Sequence, residues 1–171
     1  MNDLSKKALE IARAIQNEVP RTGIPTETGS TPKSEQVLAS SVVKGTRGYI
    51  EQVVNQINGC YEDAWFDACA VMIRRLIETL IIETYESHGI SGKIKNLNGD
   101  FYFLKDLIDC TLSESTWNLS RNTKSALRNL KNIGDLSAHN RRYIAHRSDI
   151  DKIIPDIRVV VQEFLYLSRL K

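Results

Sequence analysis

Apolar residues recur three and four positions apart over most of this chain, the spacing that gathers them on one face of a helix, and no stretch alternates as a half-buried strand does. Leu4, Ala8, Ile11, Ala12 and Ile15 predict a helix over 3–18, stopped at Glu18-Val19-Pro20. A second helical region is predicted over 34–58, from Ser34 as N-cap through Val37, Leu38, Ser41 and Val42. Gly45 and Gly48 weaken its middle and are placed to split it. The strongest element is expected over 60–87. Trp65, Ala68, Cys69, Met72, Leu76 and Leu80 form one stripe there, and Ile73, Ile77, Ile81 and Tyr85 form a second. Two stripes on one helix mean burial on most sides, so this should be the central helix. His88-Gly89 supplies its stop, a His near the negative end of the dipole and then a Gly at the cap.

Glycines and asparagines over 89–100 predict a loop, and Phe103, Leu104, Leu107 and Ile108 a short helix over 101–112. A further helix is predicted over 120–139 through Ala126, Leu127, Leu130, Ile133 and Gly134, followed by a polar, basic connection over 140–147. Ser148, with Asp149 and Asp151 behind it, is expected to start the last helix. Pro155 then requires either that the regular helix begin near it or that the helix kink there. Ile157, Val160, Val161, Phe164, Leu165 and Leu167 pack that helix on the core. The predicted fold is all-α, a bundle of four main helices with peripheral pieces over 35–171. An N-terminal helical arm over 1–18 precedes it. The segment 19–34 holds three prolines, two glycines and five Thr or Ser before Ser34, too little apolar surface to order itself, and reads as a flexible linker.

Length and composition suit one globular domain of 171 residues, large enough to bury a core without disulfides. No run approaches the roughly 20 apolar residues of a membrane span, and the N-terminus lacks the apolar core of a signal peptide. Cys60, Cys69 and Cys110 are odd in number and share no metal-ligand spacing; they read as small buried hydrophobes in a reducing, cytoplasmic setting. There is no Gly-rich phosphate cradle, no His-Glu-x-x-His and no paired cysteines, so neither metal nor cofactor is expected. Net charge is only +2, but it is uneven: 11 Lys and Arg stand against 5 Asp and Glu from Arg121 onward, and 12 against 16 before it. A basic C-terminal third points to an anionic partner, nucleic acid among them, or to a dipolar surface with no partner.

Two constellations carry chemistry. On the central helix, Arg74 and Glu78 lie four apart, Arg75 and Glu78 three apart. A charge sheltered on so buried a helix must be paired. It forms a structural ion pair, or Glu78 reaches across the bundle to orient a polar group. In Lys131-Asn132-Ile133-Gly134-Asp135-Leu136-Ser137-Ala138-His139, helical spacing lines up Asn132, Asp135 and His139. Asp135 is placed to hold the imidazole and fix its tautomer; the plainer alternative is that His139 caps the helix end. Gly134 and Ala138 are small, so another backbone can approach closely.

Gly59-Cys60-Tyr61, then the Arg-Arg-Leu-x-Glu core of 74–78, then 134–139 and an apolar closing helix follow in an order that resembles the HEPN superfamily (higher eukaryote and prokaryote nucleotide-binding). The likeness covers 59–171 and is to an uncharacterised branch found in restriction, abortive-infection and other conflict systems. It implies a helical bundle that homodimerises and, in many members, a metal-independent ribonuclease. Its mark is an Arg followed after four to six residues by a His, with a polar residue next to the Arg. With His139 as that histidine, Asp135 matches the polar position but Gly134 occupies the arginine's. Arg128 is eleven residues away, about 16 Å along a helix. Arg141 and His146 have the literal spacing but sit in the connection. Arg141, Arg142 and Arg147 surround His146 and are placed to supply cations, with Tyr143 as a stacking surface. The reading that follows is an RNA-binding or interaction module of a bacterial defence or stress system, without the standard ribonuclease pair. Its expected surface is Asn132, Asp135, His139, Arg141, Arg142, Tyr143, His146 and Arg147, supported by Arg75 and Glu78. Two alternatives stand beside it. One is a divergent ribonuclease using His139 or His146 with Arg141 or Arg142. The other is an antitoxin-like subunit that meets a protein partner through its N-terminal arm.

Overall fold

The computed structural model describes residues 36–171. The predicted arm, the linker and the Ser34 cap lie outside the described residues. Six α-helices are described: α1 (Ser40–Val43), α2 (Gly48–Glu62), α3 (Phe66–Ser87), α4 (Leu104–Ser113), α5 (Arg121–His139) and α6 (Arg147–Leu167). A 3-10 turn, Ser91–Ile94, lies between α3 and α4. Among the described residues there is no strand, only an isolated bridge from Lys95 to Phe101. The fold is all-α, and α2, α3, α5 and α6 are its four main helices. None of the described helices is long and apolar enough to cross a membrane.

The central helix is α3, which packs on α2, α5 and α6. Cys69, Leu76 and Leu80 of one predicted stripe and Ile73, Ile77, Ile81 and Tyr85 of the other are buried along it, while Met72 is half-buried and Ala68 exposed. Its stop is as the sequence predicts. Gly89 takes φ +70°, Ile90 N donates to Tyr85 O at 3.0 Å, and His88 Nδ1 lies 2.8 Å from Thr84 O.

Its start is different. The chain breaks between α2 and α3 at Ala64, which adopts φ 60°, while Trp65 N donates to Cys60 O at 2.8 Å. A left-handed residue ends a helix, and here that residue is alanine rather than the usual glycine. The predicted helix over 60–87 is therefore two, and Trp65, expected in the buried stripe, is 53% exposed.

The region 34–58 is also divided. Residues Gln36 to Ala39 precede α1, and buried Asn58 pins them through Leu38, accepting from its N–H at 3.2 Å and donating to its carbonyl at 2.7 Å. Gly45 at φ +81° turns the chain into α2, the division its glycines suggest.

The last helix begins at Arg147 with His146 as N-cap, not at Ser148, and Pro155 lies inside it. An interior proline costs about 3 kcal/mol. Ile150, Ile153, Ile157, Val160, Val161, Phe164 and Leu165 are all buried along this helix, and each contributes roughly 1.5–3 kcal/mol. Packing on both sides of the proline therefore outweighs it. Glu163 then reaches from α6 to the start of α5, accepting from Ser120 N and Oγ at 2.7 Å each and from Thr123 Oγ1 at 2.5 Å.

Candidate nucleic-acid interface

The surface of interest is built where α5 ends against the first half of α3. Gly134 sets the approach: a Cβ there would lie 2.7 Å from Arg74 Cβ and 3.2 Å from the carbonyl of Ala70. Only glycine admits the Arg74 side chain over α5. Arg74 uses that passage to reach Asp135, with Nε donating to Oδ1 at 3.0 Å, while its Nη1 stands 3.6 Å from Glu78 Oε2. Lys131 Nζ donates to the other Asp135 oxygen. Partial burial pushes the Asp135 carboxyl up, but the bonds from Lys131 and then Arg74 outweigh it, and its pKa falls below the ordinary 3.8.

This bears out the structural Arg74–Glu78 ion pair and goes against two of the alternatives. Asp135 is engaged by Arg74 and Lys131, and no hydrogen bond joins it to His139 among the described residues. It is Arg74, not Glu78, that crosses between helices; Glu78 stays on α3 as the partner of Arg74. Arg75 is exposed and takes no part in this network.

Beyond Asp135, α5 presents Asn132, Leu136 and His139, and the chain then turns. Asn140 Oδ1 accepts from Arg142 N at 3.0 Å, and Tyr143 N donates to Asn140 O at 3.1 Å, closing a tight turn with Arg141 and Arg142 at its tip. The result is an open depression of about 660 Å³ lined by Asn132, Asp135, Leu136, His139, Asn140 and Arg141. His139, Arg141 and Arg142 are all exposed.

The far side of the loop is anchored. Asp67, in the first turn of α3, accepts from Ala145 N at 3.1 Å. His146 caps α6 through its backbone, its N–H donating to Asp149 Oδ2 at 3.1 Å, and this bond holds the Asp149 carboxyl below its ordinary value. Tyr143 is half-buried; burial and then the charge of Asp149 push its hydroxyl up. Arg147 is taken by Tyr61, lying 4.9 Å over its ring and donating from Nε to its hydroxyl at 3.1 Å.

Of the residues expected at this surface, Asn132, Asp135, His139 and Arg141 therefore line one depression, with Arg142 beside it. Tyr143 and Arg147 are partly committed to packing, and His146 sits at the start of the neighbouring helix. Leu136, Asn140 and Arg74 belong to the site although they were not expected there. Helical spacing already aligned Leu136 with Asn132 and His139, and Gly134 was the signal for a close neighbour. Which side chain would use that gap was not readable. Among the described residues no cluster of His, Cys, Asp and Glu could hold a metal ion. Cys60, Cys69 and Cys110 are unpaired, and burial pushes the Cys69 thiol up to about 12.

Fold and surface together define an all-α domain with an open, basic-edged depression at one helix end. The model of a family described as a domain of unknown function, DUF4145, matches residues 55–171, and the chain belongs to that family. No curated protein and no solved structure gives a match.

Proposed function

We propose that this chain is a HEPN-like helical domain that binds RNA at the end of α5 without cleaving it, acting as a homodimer in a bacterial defence or stress system. The observation that carries the reading is the engagement of Asp135. Its two oxygens are held by Arg74 and Lys131, so the group that would orient His139 for proton transfer serves instead as a structural tie. What remains free around the depression is His139 with Arg141 and Arg142, groups suited to phosphate oxygens rather than to a directed acid–base step. Leu136, 40% exposed on the same face, supports a second copy meeting the first there. The setting rests on the family resemblance.

The test incubates purified protein with labelled total RNA and tRNA in EDTA, beside His139→Ala/His146→Ala and Arg141→Gln/Arg142→Gln variants. The expected result is salt-sensitive binding, weakened in the arginine variant, with intact RNA throughout. Cleavage by wild type and not by the histidine variant would replace this reading with a divergent ribonuclease. Absence of any RNA affinity would replace it with a protein-interaction subunit.

A further inference from the structure

The exposed side of α5 upstream of the depression has an unusual composition. Its outward positions from Arg121 to Asn132 are Arg121, Asn122, Lys124, Ser125, Arg128, Asn129, Lys131 and Asn132, while Thr123, Ala126, Leu127 and Leu130 turn inward. Cations, asparagines and one serine make up that face, with no acid and no apolar residue. Spacings of three, four and three place Arg121, Lys124, Arg128 and Lys131 in one row, which continues in two steps of four through Asp135 to His139. Lys131 is paired with Asp135, but Arg121, Lys124 and Arg128 form no ion pair with any described residue.

This arrangement runs against the stability of the helix. The first turn of α5 contains no acid and begins with Arg121, so positive charge sits at the positive end of the dipole. Neighbouring cations three and four apart also repel one another. Glu163 answers the helix start through Ser120 and Thr123, but Arg121, Lys124 and Arg128 themselves have no ion-pair partner among the described residues, which marks their row as a surface kept for a partner. The partner must carry negative charge along a line. A protein interface would need an apolar centre, and this face has none.

We propose that α5 is a track for single-stranded RNA, with successive phosphates along Arg121, Lys124 and Arg128, leading the strand into the depression at His139 and Arg141. The asparagine row beside it offers donors and acceptors to sugars and bases. The inference rests on the RNA reading above and adds a path and a length to it. The 19 residues of helix from Arg121 to His139 span roughly 27 Å. With successive phosphates on Arg121, Lys124 and Arg128, about 4.5 and 6 Å apart along the axis, that length accommodates on the order of five nucleotides.

The test measures affinity and its salt dependence for four- and ten-nucleotide RNAs by fluorescence anisotropy. It compares full-length wild type, Arg121→Gln/Lys124→Gln/Arg128→Gln, Arg141→Gln/Arg142→Gln, and a control with the same charge change elsewhere, Lys44→Gln/Lys105→Gln/Lys152→Gln. The expected result is a loss on the order of tenfold for the ten-nucleotide RNA in the track variant, with the salt slope falling by about 2 as three phosphate contacts are removed. The track variant also keeps or raises the thermal midpoint of the free protein, because repulsion along α5 is relieved. The control binds as wild type. Unchanged binding in the track variant beside a loss in the Arg141/Arg142 variant overturns the track and leaves the RNA reading standing. Equal losses in track and control variants overturn it too, since total charge then suffices. A lowered thermal midpoint in the track variant overturns it by showing these cations to be structural. No binding by wild type removes both readings.

Discussion

Arg74 Nε stands 3.0 Å from Asp135 Oδ1, a polar crossing from the central helix to α5 that, with Lys131, engages the carboxylate away from His139. Asp135→Asn removes the charge that both Arg74 and Lys131 face, in a setting where their side chains are only 25% and 21% exposed. The variant should lose about 1–3 kcal/mol of stability, as expected when charged donors lose an ionised acceptor. With a negative charge gone from the depression, RNA affinity should rise. Urea unfolding and anisotropy measure the two effects separately, and a fall in both would break the link drawn here.

Gly134→Ala should destabilise the protein, although Ala is the better helix former by about 1 kcal/mol. The new Cβ would meet Arg74 Cβ at 2.7 Å and the Ala70 carbonyl at 3.2 Å, neither of which is the movable end of a side chain. Overpacking of this kind costs about 1–3 kcal/mol. The sign is the test: a stabilised variant in urea unfolding would mean that α3 and α5 have room to separate.

Ala64→Gly should stabilise by about 1 kcal/mol. Ala64 is exposed at φ 60°, a conformation that penalises any side chain and spares glycine. The gain is read as a raised thermal midpoint, and a drop would show that Ala64 leaves that conformation in solution.

Acid should act through Glu114. The two bonds from Lys93 Nζ, at 2.8 and 3.0 Å, and then the hydroxyl of Thr116, bring its carboxyl down from 4.5 to about 2. A carboxyl lowered on folding contributes its stability in full above the unfolded value and loses it as the pH falls to the folded one. The stability gap between wild type and Lys93→Gln should therefore be full above pH 4.5 and close towards about 2. Urea titrations across that range measure it. A gap that does not change with pH would deny Glu114 this role.

The main helices were legible because apolar periodicity reports burial directly: α3 shows two stripes and is buried on most sides, and α5 shows one and is buried on one. The Gly89 stop was equally readable, since its backbone conformation is costly for other residues. Ala64 gave no such signal, because alanine is ordinarily a helix former and only the surrounding fold holds it in a left-handed turn. Pro155 left two options open, a helix start near it or a kink, and it lies inside α6, where buried residues on both sides outweigh its local penalty. At the site, spacing brought Asn132, Asp135 and His139 together along one helix, and Leu136 joins them in the depression. The partner of Asp135 was decided between helices, where Arg74 enters from a residue 61 positions earlier. Sequence order carries no record of that crossing beyond the gap left at Gly134.

The chain contains two tryptophans in contrasting surroundings. Trp117 is buried edge-on against Tyr85, ring centroids 4.9 Å apart, whereas Trp65 is 53% exposed at the start of α3, two residues before the Asp67 that holds the basic loop. Their fluorescence should therefore report on different events without any added label. Emission from Trp117 is shielded from acrylamide until the bundle opens. Emission from Trp65 is open to the quencher from the outset, and to the bases of any strand that settles on the loop.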